Sequence, residues 1–271
     1  MLALNRNLQQ AIWQHNLPAT PGTSWGTQLT AHATPHDKGA WATLMTTTYD
    51  VYGFWIGITV TSGLGTQTDM LLDIALGAGQ ENIIVPEFLC GWRGSVGSGP
   101  LMYYMPIFIP KGTLVSGRVQ ALITADTAQV LMFANGGASA IPGPLFSGCD
   151  AYGTSTAASQ GTSHTPGNSG AESTAADIGS TASKHYGAVM LGIGGTLTDT
   201  TTGDLSYHWE LQIGGGTICE WFTRTTSSEV QLGPFPLAPF HVSIPSGTQL
   251  QVRAECSGTA EPQDVAFYCF Y

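Results

Sequence analysis

From residue 41 onward, apolar and polar positions alternate in short runs instead of recurring every third or fourth residue. ATLMTTT, YGFWIGITVT, DMLLDIALG, ENIIVPEFL, LMYYMPIFI, TLVSGRVQALIT and AQVLMFA are β-branched and aromatic stretches divided by Gly, Pro, Asn and Asp, the pattern of half-buried strands with turns between them. After residue 184 the pattern resumes in HYGAVMLGIGGTL, DLSYHWELQIG, GTICEWFTR, GPFPLAPFHVSI, TQLQVRAECSG and DVAFYCFY. Pro234, Pro236, Pro239 and Pro245 assign the fourth of these to a sheet edge or an irregular approach, because proline has no N–H to donate to a ladder. Only residues 2 to 15 carry helical spacing, at Leu4, Leu8, Ala11 and Ile12, which predicts a short amphipathic helix stopped by Pro18 and Pro21. An extended arm follows to residue 40.

The two strand-rich regions repeat each other. IPKGTLVSGRV, from Ile109, returns as IPSGTQLQVRA from Ile244: an Ile-Pro closes one apolar run, a Gly-Thr makes a turn, and alternating residues lead to an Arg. Matching segments keep the same order on both sides at an offset of roughly 131 to 137 positions, the signature of an internal repeat. Tyr52-Gly53 answers Tyr186-Gly187, DIALG answers ELQIG, and DTAQVLMFA answers EPQDVAFYC. The expected fold is therefore all-β: two tandem jelly-roll-like antiparallel β-sandwich domains related by internal duplication, with a short N-terminal helix and extended arm. The divisions are residues 1–40 for helix and arm, 41–135 for the first sandwich, 136–183 for a Gly/Ser/Thr-rich linker and second arm, and 184–271 for the second sandwich.

Composition narrows the function. Only 10% of the 271 residues are charged, so packing and backbone pairing carry the fold with few ion pairs. A formal charge of −10 with eight basic residues leaves no stripe of Lys and Arg for phosphate, which argues against nucleic acid or an anionic membrane as partner. Cys90, Cys149, Cys219, Cys256 and Cys269 are odd in number and scattered, forming neither CxxC pairs nor a disulfide framework, and read as small buried hydrophobes. No basic n-region with an apolar core opens the chain, so export through the secretory route is not expected.

Two residues of opposite charge recur at equivalent places: Asp73 with Arg118 in the first copy and Glu210 with Arg253 in the second. Without a nearby His or second carboxylate, each pair reads as a structural cross-strand ion pair and not as a catalytic one. His32 and His36 have zinc-like spacing, but Thr34-Pro35 breaks any helix between them and no third ligand follows. No GxSxG elbow is present, and GLGTQTD and GIGGTLTD precede strands, reading as hairpin turns and not as phosphate cradles. An enzyme is not expected, nor a cofactor or metal. Trp55 and Trp209 read as core. Trp92, in CGWRGSVGSG, and Trp221-Phe222, in CEWFTRTT, adjoin loops and are the candidates for surface recognition of a partner or sugar.

TPHDKGAW, TDMLLDIALGAG, NIIVPEFL and PIFIPKGTLVSGRVQA, in that order, resemble segments of β-sandwich structural proteins encoded by tailed bacteriophages. The likeness covers Thr34 to about Ala134 and only the skeleton of the second repeat. The resemblance implies a non-enzymatic virion component, displayed on the tail or head surface as a fibre, adhesin or head decoration protein. It would be made in the host cytoplasm and touch other virion proteins and copies of itself, a trimer being favoured, and in some roles a host-surface glycan. A double jelly-roll capsid protein and a lectin-like carbohydrate-binding module are the alternatives.

Overall fold

The computed structural model describes residues 12–17, 26–60, 69–90, 101–136, 144–195, 204–225 and 231–271. Within them the chain is all-β: nineteen strands make four antiparallel sheets, and no helix occurs among the described residues.

The first nine strands are β1 (Ile12–His15), β2 (Thr27–Thr30), β3 (Ala42–Thr46), β4 (Val51–Val60), β5 (Met70–Leu76), β6 (Asn82–Leu89), β7 (Leu101–Ile109), β8 (Leu114–Ala121) and β9 (Thr127–Gly136). One sheet runs β1-β9-β4-β7, with β2 following β1 along the same edge of β9, and the facing sheet runs β3-β8-β5-β6. The chain crosses between sheets at nearly every connection. Of these strands only β5 and β6 pair with a sequence neighbour, through a loop that begins at Gly77.

The helix expected over residues 2 to 15 is replaced, at its described end, by strand β1. Ile12 to His15 pair with Gly136 to Phe133, because the edge of β9 offers a ladder of backbone partners that a marginal short helix cannot match. Leu4, Leu8 and Ala11 lie outside the described residues.

The remaining strands are β10 (Cys149–Tyr152), β11 (Thr162–His164), β12 (Ala176–Asp177), β13 (Tyr186–Gly195), β14 (Leu205–Ile213), β15 (Gly216–Thr225), β16 (Gln231–Phe235), β17 (Phe240–Ile244), β18 (Gln251–Cys256) and β19 (Gln263–Phe270). They form a sheet β10-β19-β13-β17, with β11 beside β10 on the edge of β19, and a sheet β12-β18-β14-β15-β16. The Ser/Thr/Gly-rich stretch thus supplies three strands of the second half. The proline-rich segment divides into two strands in different sheets, β16, which contains Pro234, and β17, which Pro239 and Pro245 flank, and both are edges.

In the sheets that hold β4 and β13, pairings recur at a spacing of 135 positions, that from Ile109 to Ile244. Phe54 faces Ala134 as Val189 faces Cys269, Ile56 faces Met132 as Leu191 faces Phe267, and Val51 faces Ile109 as Tyr186 faces Ile244. Both β4 and β13 carry an irregularity just after that last rung. Gly112 and Gly247 both take φ of 79° as third residue of the repeated turn, a left-handed backbone that favours glycine. That turn passes the chain from one sheet to the other, since β7 and β8, like β17 and β18, belong to different sheets.

Two cores result. The second lies inside the second pair of sheets around Trp209, Trp221, Leu191, Val252 and Phe267. The first lies between the first pair of sheets, around Phe54, Ile56, Leu72, Phe88 and Met105, and extends onto Ala188, Met190, Ala266, Tyr268 and Phe270 of β13 and β19. The sheet containing β19 is therefore buried on both faces, which is why β19 reads QDVAFYCF with every residue buried and no polar alternation.

Candidate functional site

The two acid–Arg pairs form as cross-strand rungs. Asp73 on β5 faces Arg118 on β8, and Glu210 on β14 faces Arg253 on β18. Asp73 is buried. Its Oδ2 accepts from Arg118 Nε at 2.9 Å and Lys38 Nζ at 2.9 Å, and its Oδ1 accepts the Glu87 backbone N–H at 2.8 Å. The Arg118 guanidinium lies 4.3 Å from the centroid of the ring of Trp41, which directly precedes β3. Glu210 Oε2 accepts from Arg253 at 2.7 Å, from Thr217 at 2.6 Å and from Gln212 at 3.0 Å. Burial alone would raise the Glu210 carboxyl, but these donors more than offset it and hold the carboxyl below its ordinary range. Each acid is thus met by an Arg and by further donors of its own chain.

Strand β15 separates the recognition candidates. Side chains alternate across a strand, so adjacent Trp221 and Phe222 point to opposite faces. Trp221 is fully buried, edge-on to Phe240 at 5.3 Å, and is not a surface residue. Its position beside a loop suggested exposure, but the strand continues through it to Thr225. Phe222 is 55% exposed and stacks on His208 at 4.8 Å. Trp92 lies outside the described residues. Trp55 also departs from expectation: Trp209 is buried, but Trp55 is only half-buried on the outer face of its sheet, against Tyr104 at 5.1 Å.

His208, Glu210 and Glu220 bring one ligating atom each within 4.8 Å of one another, the one such group of three among the described residues. Sequence spacing alone did not single out His208. The signal was the β14–β15 hairpin, which sets Glu220 opposite Glu210 and two residues from His208 on the same face. A cation there would compete with Arg253, Thr217 and Gln212 for Glu210, and His208 already lies between Glu220 at 3.3 Å and Glu255 at 3.5 Å. His36 hydrogen-bonds Ser159 at 3.0 Å and His32 lies 3.5 Å from Asp37, so these two histidines serve different partners.

The seam between the halves carries two groups that the sequence did not disclose. Tyr268, on β19, reaches the edge of β6: its hydroxyl accepts the Leu89 N–H and donates to the Glu87 carbonyl at 2.9 Å. Glu87 has φ of 49°, a conformation costly for a side-chain-bearing residue, and Asp73 and Tyr268 fix its peptide groups on both sides. Nearby, Asp264 of β19 is hydrogen-bonded to Asp69, at the start of β5, where Gly194 leaves room for the Asp69 carboxyl. Burial pushes Asp264 up to about 6, the bond from Asp69 opposing this only in part. In the interval between its unfolded value, about 3.9, and about 6 the folded chain binds a proton that the unfolded chain has lost. Stability contributed by this proton is present at low pH and is lost as pH rises through that interval. Asp264→Asn is expected to remove this slope in urea midpoints measured between pH 4 and 7, leaving the variant more stable than wild type at pH 7.

All five cysteines are buried and free. Burial raises the Cys90, Cys149 and Cys269 thiols and pushes Cys219 up to about 12, which keeps them protonated and removes them as nucleophiles. No helix among the described residues is long and apolar enough to cross a membrane. Compared with known proteins, the chain matches no family model and no curated sequence.

Proposed function

We propose that the chain is a non-enzymatic building block of a virus particle of the tailed-bacteriophage kind, made of two duplicated jelly-roll sandwiches and displayed on the head or tail surface. The observation that carries this reading is where the unsatisfied surface lies. The ionic clusters are closed internally, whereas apolar side chains stand exposed on sheet faces, with Trp13 at 51%, Phe222 at 55% and Phe235 at 51%. Exposed apolar faces of this kind mark interaction surfaces. The jelly-roll assignment is supported by the strand orders β2-β9-β4-β7 and β3-β8-β5-β6, which recur as β11-β19-β13-β17 and β12-β18-β14-β15.

Purified particles of the virus that encodes the chain test the reading. The chain is expected in them at fixed stoichiometry, and a cryo-EM map is expected to place it at the head or tail surface. Its absence from intact particles would exclude the proposal. The repeated strand order also suits a double jelly-roll capsid protein, which would dominate a stained gel of the particle, whereas a decoration or fibre protein would not. A lectin-like module is favoured only by the Phe222–His208 stack. It predicts glycan-array binding by the isolated chain that Phe222→Ala abolishes.

A further inference from the structure

The contact between the two halves of the chain pairs two defined surfaces. One is the outer face of the β10-β19-β13-β17 sheet, where the rung Met190–Tyr268 and Cys149 meet the first half. The other is the β6 edge: Tyr268 bonds Leu89 and Glu87, Cys149 Sγ lies 3.6 Å from the Ile84 carbonyl, and Phe88 lies 4.8 Å from the Tyr268 ring.

Each surface has a counterpart in the other half whose side chains stand exposed, although the backbone edge equivalent to that of β6 is paired with β16. The rung Met190–Tyr268 corresponds to Trp55–Phe133, and Cys149, opposite Phe270, corresponds to Trp13, opposite Asn135. These residues, with His15, Tyr104 and Phe108, form an aromatic outer face on the β1-β9-β4-β7 sheet, where Trp13 is 51% and Phe108 38% exposed. Leu89 pairs with Leu71 two residues before Asp73, and Phe222 pairs with His208 two residues before Glu210, so Phe222 is the counterpart of Leu89. Leu89 is fully buried because the second half lies on it, whereas Phe222 is exposed beside its rung partner Phe235.

We propose that a second copy of this chain occupies each surface: the Phe222–Phe235 patch of one copy docks on the Trp13–Trp55–Phe133 face of the next, reusing between molecules the side-chain faces already matched within one, with β16 in place of the open β6 edge. The occupant is argued from the internal contact, in which the equivalent faces are matched once. Because the two surfaces differ, the contact is heterologous and head to tail, so it propagates until a ring closes. This deepens the assembly reading above by naming its surfaces.

Light scattering on the purified full-length chain tests it. Wild type is expected to self-associate in a concentration-dependent way. Phe222→Glu and Phe133→Lys are each expected to weaken association at least tenfold, with Trp13→Lys, at a more exposed position, replacing Phe133→Lys if that variant does not fold. Each variant retains the surface that the other has lost, so an equimolar mixture of the two is expected to form a species of twice the monomer mass and stop there. Variants that assemble as wild type does, or a mixture that remains monomeric, would overturn the docking while leaving a building block that uses other surfaces. A wild-type chain that stays monomeric at every concentration overturns the docking as well, and presence or absence in purified particles then decides the assembly reading separately.

Discussion

Tyr268→Phe is expected to lower stability by about 2–4 kcal/mol, because removing one hydroxyl leaves the Leu89 N–H and the Glu87 carbonyl buried without a partner. Tyr268→Ala adds a cavity beside Phe88 and is expected to cost about 3–5 kcal/mol or more. The larger consequence is loss of cooperativity. Tyr268 joins the β6 edge of one half to the central strand of the other, so wild type should unfold in denaturant as one transition and Tyr268→Ala as two. A Tyr268→Phe variant whose midpoint matches wild type would show that the hydroxyl contributes nothing across the seam.

Arg253→Ala is expected to cost about 3–5 kcal/mol, the range for leaving a buried charge without its partner. Arg118→Ala should cost clearly less. The reason is local: Asp73 keeps Lys38 at 2.9 Å when Arg118 is removed, whereas among the described residues Glu210 has no second cation and keeps the neutral donors Thr217 and Gln212. Glu210 is held below its ordinary value, so the stability it contributes is present above the unfolded carboxyl range, near 4.3, and is lost as pH falls through the folded value. Arg253→Ala removes much of that acid limb. Denaturant midpoints of both variants at pH 3 to 7 check the order and the slope. Equal losses in the two variants would show that Lys38 does not support Asp73.

Much of this was legible in the chain because one face of most strands meets a core and the other does not. Each alternating run after residue 41 falls on a strand, except that the proline-rich GPFPLAPFHVSI divides between β16 and β17 in different sheets, and the repeated turn with its downstream Arg located both ion pairs. What failed did so where tertiary pairing overrode local pattern. Ile12 has helical company in sequence, yet the open edge of β9 recruits its segment as a strand. Trp221 and Phe222 are neighbours that a strand sends in opposite directions, and sequence alone did not say which face was inside. Neither Tyr268 nor Asp264 announced a role, because a strand buried on both faces shows only a continuous apolar run with a few polar residues inside it. The partner of each lies about 180 or more residues earlier in the chain, as Leu89 does for Tyr268, with |i−j| of 179.

Strand β19 leaves the ribosome after every other described strand, although it sits between β10 and β13 and closes both cores. A nascent chain carrying all of β1 to β18 still lacks the central strand of its second half and the Tyr268 contacts with β6 and Phe88. Closure of the second half and of the seam is therefore a late event, and chaperone occupancy on translating ribosomes should persist until the codons for residues 263–270 have been read.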